Sequence, residues 1–318
     1  MHNHEIFLLS EFDRRKFLQI SGLVTGIGLL SSLAETSASA ALPSAKLPGF
    51  SAFAKSVRVF KSDKYYLVES DGIPAHQMMI GIKSWQQQVP TVQPYSGTNA
   101  WSIPITPVIA ANPMSAKDHF LRGAIALAVN GVPIFNALNN RGDDAFLAGE
   151  LDNWGGHCGR ADDYHYHVAP THLQSVVGTK VPIAYALDGF PIYGEKEPDG
   201  KKVVELDSFN GHFDSKKNYH YHATKTYPYI NGGFKGEVKE INGQVAPQAL
   251  TKAFRPAGEP LRGAVITGLD RISADTFNLT YSLNGVDGHV KYTASLSQVS
   301  MEFTDTTGST HTEVYARK

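Results

Sequence analysis

Among its 318 residues the chain has a single cysteine, Cys158, so no intrachain disulfide can form. Neither sign of charge is in excess: 29 Lys and Arg stand against 30 Asp and Glu, a formal net charge of −1. With no surplus of cations to neutralise a phosphate backbone, general nucleic-acid binding is disfavoured. Long apolar runs are scarce too. The stretch at residues 20–34 is shorter than the ~20 residues a membrane helix needs, and it contains Gly22, Gly26 and Gly28, so no membrane span is expected in the mature chain. Few windows carry a helical period; residues 244–254 are one short candidate. There is no Gly-x-Ser-x-Gly, no His-Glu-x-x-His and no phosphate-cradling glycine loop, which removes the usual signatures of named hydrolases and nucleotide enzymes.

What the sequence does have is 29 glycines, 17 prolines and 14 tyrosines, arranged as short runs rich in Val, Ile, Tyr and Phe that turn residues interrupt at close intervals. Such a pattern points to a mainly β protein of short strands and hairpins, with a β-sandwich-like core and long loops. At the N-terminus, Arg14-Arg15-Lys16-Phe17-Leu18 precedes the apolar stretch, and Ala38-Ser39-Ala40 has the small-x-small form of a cleavage site. Residues 1–40 therefore resemble a twin-arginine export signal, and a periplasmic or secreted protein is expected. Its removal takes away three basic and four acidic residues and leaves a formally neutral chain. Residues 41–55 read as a leader into the domain. Residues 263–318, with Asn284-Gly285 between two alternating runs, read as hairpins, either a separate small β domain or extra strands on the main one.

The most informative feature is an internal repeat. Ile125-Ala126-Leu127-Ala128-Val129-Asn130-Gly131-Val132-Pro133-Ile134-Phe135 aligns without gaps on Ile183-Ala184-Tyr185-Ala186-Leu187-Asp188-Gly189-Phe190-Pro191-Ile192-Tyr193, at an offset of 58. Both copies read as strand, turn, strand, with Asn-Gly and Asp-Gly supplying positive-φ residues. Asp71-Gly72-Ile73-Pro74 is a weaker third echo. Behind each hairpin a second block repeats at an offset of 55: Glu150-Leu151-Asp152 through His157 and then Tyr164-His165-Tyr166-His167, matched by Glu205-Leu206-Asp207 through His212 and then Tyr219-His220-Tyr221-His222. Residues 125–167 and 183–222 are thus the two halves of a tandem duplication, and a pseudo-twofold arrangement is expected.

Side chains alternate across a strand, so His165 and His167 share a face, as do His220 and His222, and the tyrosines take the other face. The eight-residue step to His157 or His212 adds a third imidazole to each copy. A His-x7-His-x-His set suits a three-histidine centre for a transition metal ion, zinc or copper first, better than calcium or magnesium. His157, His165, His167, His212, His220 and His222 are the expected ligands, gathered in one region as two sites or one pooled site. Asp152, Asp162, Asp163, Asp207, Glu150 and Glu205 are candidate further ligands or acceptors that fix a ring tautomer. Asp163, Glu150 and Asp188 are the candidates for moving a proton in catalysis. His76, His119, His172, His289 and His311 lie outside the repeat and are read as ordinary, and Cys158, matched by Phe213 in the other copy, as a buried inert thiol.

Taken together, Gly155-Gly156-His157, the Leu187 to Gly194 run and the two Tyr-His-Tyr-His tetrapeptides resemble the YHYH-domain family of bacterial exported proteins, over residues 123–236 and within a YHYH domain at 41–262. The resemblance carries no reaction with it. Relatives have cysteine near the positions of Trp154 and Gly233; neither is cysteine here, so no disulfide comes across. Three classes of function stay open: a metalloprotein with hydrolytic or oxidative chemistry, a non-catalytic metal binder, and a binding module whose Trp154, Phe209 and tyrosines receive a small molecule, glycan or peptide.

Overall fold

The computed structural model describes residues 42–83 and 85–317; the segment at 1–40 that reads as an export signal lies outside them. The chain is mainly β, and the duplicated region builds its central sheet. The first copy supplies β1 (Ala124–Ala128), β2 (Pro133–Phe135), β3 (Gly156–Cys158) and β4 (Tyr164–Tyr166). The second supplies β5 (Ala184–Ala186), β6 (Pro191–Tyr193), β7 (Gly211–Phe213) and β8 (Tyr219–His222). Their spatial order is β7-β8-β6-β5-β1-β2-β4-β3, a palindrome about the antiparallel pairing of β1 with β5, in which Leu127 faces Tyr185. The parallel contacts repeat as well: Ile134 pairs with Tyr166 and Ile192 with Tyr221. The expected pseudo-twofold is therefore the symmetry of the sheet. All of β1 is buried, as the central pair of such a sheet must be.

The turns behind β1 and β5 differ in one respect from expectation. Only the glycines adopt positive φ, +83° at Gly131 and +96° at Gly189. In each, the bond from Ala128 N to Val132 O, or Ala186 N to Phe190 O, closes a three-residue loop ending in a left-handed glycine. Asn130 and Asp188 are thereby turned inward instead of spanning the turn. Asn130 Nδ2 donates to Tyr166 Oη at 3.0 Å, and Asp188 Oδ2 accepts from Tyr221 Oη at 2.6 Å.

Five further strands form a separate antiparallel meander: β9 (Val265–Arg271), β10 (Thr276–Leu283), β11 (Val286–Ala294), β12 (Gln298–Thr304) and β13 (Thr310–Ala316). Asn284 and Gly285, both at positive φ, make the two-residue turn read from the sequence. One face of this sheet is apolar, with Phe277, Leu279, Val290, Tyr292, Val299 and Met301 buried. It is joined to the segment at 81–92 by bonds between Ile266 and both Gly81 and Ile82, by Tyr292 Oη to Pro90 O, and by Trp85 packed on Tyr281.

Three local expectations are corrected. Residues 244–254 hold no helix: Asn242 and Gly243 make a positive-φ turn that pairs Gln244–Ala246 with Lys239–Ile241, and Pro247 follows, with no N–H to give a helix. The segment 41–55 is more than a leader, since Leu47 and Phe50 are buried and Phe50 stacks on Tyr185. Asp71 to Pro74 makes a local turn, Ile73 N to Asp71 Oδ1, but no hairpin.

Candidate metal centres

In both copies the histidine set is produced by the same hairpin. The antiparallel register sets His157 opposite His165, and His212 opposite His220. Directly opposed residues share a face, which explains the eight-residue step. Two residues further along the strand, His167 and His222 return to that face. The tyrosines alternate to the other side, where Tyr164 Oη bonds Asp152 and Tyr219 Oη bonds Asp207. To reach that carboxylate each phenol crosses directly over a glycine. A Cβ on Gly156 would stand 2.6 Å from Tyr164 Oη, and one on Gly211 would stand 2.2 Å from Tyr219 Oη. The Gly-His pair of each copy is therefore a steric requirement of the tyrosine beneath it.

His157, His165 and His167 converge on one point, and Glu197, His212, His220 and His222 on another. The six histidines thus form two groups, not one. β4 and β8 stand five strand spacings apart, on the order of 24 Å along the sheet, so a pooled site is geometrically closed.

The outer nitrogens of the first set are tied down. His157 Nδ1 lies 3.1 Å from Glu150 O, His165 Nδ1 3.0 Å from Asp163 O, and His167 Nδ1 2.6 Å from Asn136 O. In the second set His222 Nδ1 bonds Gly194 O at 2.9 Å, and His220 is hydrogen-bonded to the backbone of Asn218. Asn136 and Gly194 are equivalent at the offset of 58, so the tautomer-fixing carbonyl is itself duplicated. Carbonyls only accept, which puts the ring proton on Nδ1 of each histidine so bonded and leaves its Nε2 lone pair for the centre.

At the centre those lone pairs meet. His157 Nε2 and His167 Nε2 are 3.1 Å apart, and His212 Nε2 and His220 Nε2 are 3.0 Å apart. Two nitrogens bound to one ion at ~2.0–2.1 Å with a tetrahedral angle would stand about 3.3 Å apart. Burial and then the His165 imidazole push His157 down to about 3, and burial drives His167 well below its ordinary range, so both are neutral. Two neutral rings bring two protons to three polar contacts. With both protons on the carbonyls, the facing nitrogens present two lone pairs to one point, an arrangement a bound cation satisfies. In the second set His222 Nε2 is buried with no hydrogen-bond partner among the described residues, 3.6 Å from Glu197 Oε2.

Glu197 was not singled out in the sequence. Its oxygens lie 3.1 Å from His212 Nε2 and 3.4 Å from His220 Nε2. The one sequence signal available was the offset of 58, which pairs Glu197 with Asn139. Of the carboxylates that were singled out, Asp163 Oδ2 stands 3.5 Å from His165 Nδ1, and Glu150 touches the first set through its backbone while its side chain bonds Asn139 and Arg141. Asp188, Asp152 and Asp207 serve the tyrosine face, and Asp162 is held by Arg255. Neither Glu205 nor Asp162 is in either group.

Cys158 is buried, its thiol pushed well up by burial, with its strand neighbour His157 belonging to the histidine set. His119 pairs with Glu240, His289 bonds Thr280 and His311 stacks on Phe303. His76 and His172 are less ordinary than expected. His76 stacks on Trp154 with ring centres 4.7 Å apart and bonds Tyr166 Oη, while His172 sits edge-on to both. Among the described residues no helix is long and apolar enough to cross a membrane.

Fold and site together define an internally duplicated, mainly β protein with two histidine clusters that could hold metal ions. A family model described as YHYH protein matches residues 100–205, in keeping with the resemblance carried by the tetrapeptides. The matched stretch takes in the first histidine set and both hairpins and ends before His212. No curated protein and no solved structure matches the chain.

Proposed function

We propose that this is an exported protein that binds two transition metal ions, zinc or copper, one in each half of the duplication, with His157, His165 and His167 as ligands of the first and Glu197, His212, His220 and His222 of the second. The observation that carries this is the donor geometry: in the first set two neutral imidazoles whose Nδ1 atoms face backbone carbonyls present opposed Nε2 lone pairs at 3.1 Å, and in the second set His212 and His220 bring their Nε2 atoms to 3.0 Å beside Glu197. Export rests on the Arg14-Arg15 signal and the Ala38-Ser39-Ala40 site. An ion at either centre would act as a Lewis acid toward a hydrolytic or oxidative reaction. Asp163, 3.5 Å from His165 Nδ1, is the carboxylate placed to take a proton at the first set, with Glu150 the further candidate beside it.

Metal analysis of untagged protein purified after native export tests the proposal. About two equivalents of zinc or copper per chain are expected, with a mature N-terminus near Ala41. Protein that contains no transition metal and takes none up would overturn it.

The alternative, a module that receives glycan or peptide, is favoured by one observation: Trp154 is 38% exposed and stacked on His76 beside His172. Ligand binding by chelator-treated protein that Trp154→Ala abolishes would favour that alternative.

A further inference from the structure

The two halves of the duplication keep the same imidazoles and differ in what stands beside them. At the offset of 58, Asn139 occupies the place of Glu197, and the backbone around the two is the same. Asn139 N bonds Asp143 O and Gly142 N bonds Asn139 O; Glu197 N bonds Lys201 O and Gly200 N bonds Glu197 O. Leu138 bridges Asp144 as Lys196 bridges Lys202. On equivalent backbones the side chains go to different partners.

Glu197 reaches the three Nε2 atoms of its own set at 3.1, 3.4 and 3.6 Å. Asn139 reaches none. Its Oδ1 accepts from Arg141 N at 2.9 Å and Asp143 N at 3.0 Å, and its Nδ2 donates to both oxygens of Glu150 at 3.3 Å. The Glu150 carboxylate is engaged in turn by the Arg141 guanidinium. Every polar atom of the Asn139 amide is used, and none points at the imidazoles.

The first set opens onto space. His157, with Arg141 and Glu150, lines a cavity of about 310 Å³. His165, with Asp163, Arg160 and Lys252, lines another of about 470 Å³. Three neutral imidazoles leave a divalent ion its full charge, whereas Glu197 cancels part of it in the other half. An ion in the first set therefore has both a vacant coordination position and an unmet preference for negative charge.

Resting on the two-metal reading above, we infer that the two centres have diverged in role. The first-copy centre keeps a position open for an exogenous small anionic ligand, and the second-copy centre is closed by Glu197.

Cobalt(II) loaded into the full mature chain, with azide as the probe, tests this through the visible spectrum of the bound ion. In the wild type about half of the cobalt signal should shift on azide addition. His220→Ala/His222→Ala, left with one cobalt, should respond fully, and His165→Ala/His167→Ala should not respond. Two single variants guard against misfolding of these doubles. Asn139→Glu should keep two cobalt ions and lose the azide response. Glu197→Gln should keep the first response and add a second.

Failure of wild-type protein to retain cobalt would overturn the two-metal reading itself. Two retained ions that respond alike, or a response that survives Asn139→Glu, would overturn the divergence alone.

Discussion

If each histidine set holds an ion, metal should stabilise the fold by two separable increments. A ligand that binds only the native state adds RT ln(1 + [L]/Kd), about 2.7 kcal/mol per site when free metal is 100 times the Kd. Two sites then add about 5 kcal/mol. At roughly 2–4 °C per kcal/mol for a domain of this size, the melting temperature should rise by about 10–20 °C between chelator-treated and metal-loaded protein. His165→Ala/His167→Ala should halve that rise, and so should His220→Ala/His222→Ala. The metal-induced increment is the informative quantity, because the apo protein is weakened as well. His167 is 4% exposed, and its loss leaves Asn136 O without its donor, a cost of about 1–3 kcal/mol unrelated to metal. Differential scanning calorimetry on each apo and loaded pair measures the increments. An increment unchanged in either double variant would show that the missing imidazoles were not ligands. A wild-type increment of zero at saturating zinc and copper would remove both centres.

Two further outcomes concern the scaffold that aims the imidazoles. Gly156→Ala puts a methyl 2.6 Å from the Tyr164 phenol and from His165 O, forcing Tyr164 off Asp152; overpacking plus the lost bond to a buried carboxylate should cost about 3–5 kcal/mol in urea denaturation, and a cost below about 1 kcal/mol would contradict the steric account of the Gly-His pair. Burial, only partly offset by bonds from Tyr221 and Gly236, raises Asp188 to about 6, so its contribution to stability is fully present below pH ~4, the unfolded value, and lost as pH rises through 6; wild type should lose about 2–3 kcal/mol relative to Asp188→Asn between pH 4 and pH 7, and parallel pH profiles would refute the shift.

How much of this was legible beforehand follows from how local each feature is. The histidine sets could be read because a period of two and one hairpin register decide which face His157, His165 and His167 take. The Asn284-Gly285 turn is equally local. Asn242-Gly243 is the same kind of local signal, lying just ahead of the eleven residues whose spacing mimics a helical period. What stayed hidden depends on contacts made across the sequence. Asn130 and Asp188 show their roles only when the tyrosines of a strand 36 or 33 residues later arrive beside them. The cluster of His76, Trp154 and His172 draws on three distant segments. Asn139 and Glu197 were alignable by the offset alone, but the direction of each side chain is set by its neighbours.

The position of the dyad explains why the halves could diverge at all. With β1 and β5 at the centre of the palindrome, the histidine hairpins fall at opposite ends of one sheet, and neither set can supply a ligand to the other. Each centre had to be complete within its own half. The elements that fix the imidazoles are shared: the Gly-His pair beneath a tyrosine, the Tyr164–Asp152 and Tyr219–Asp207 bonds, and the carbonyls of Asn136 and Gly194. The loop that carries the fourth candidate ligand, or an asparagine in its place, is mostly exposed beyond its first residue, and neither Asn139 nor Glu197 packs in the apolar core, so a change there leaves core packing in place. Residues 139–143 and 197–201 are where the copies are free to differ, and they are also where the charge at each centre is decided.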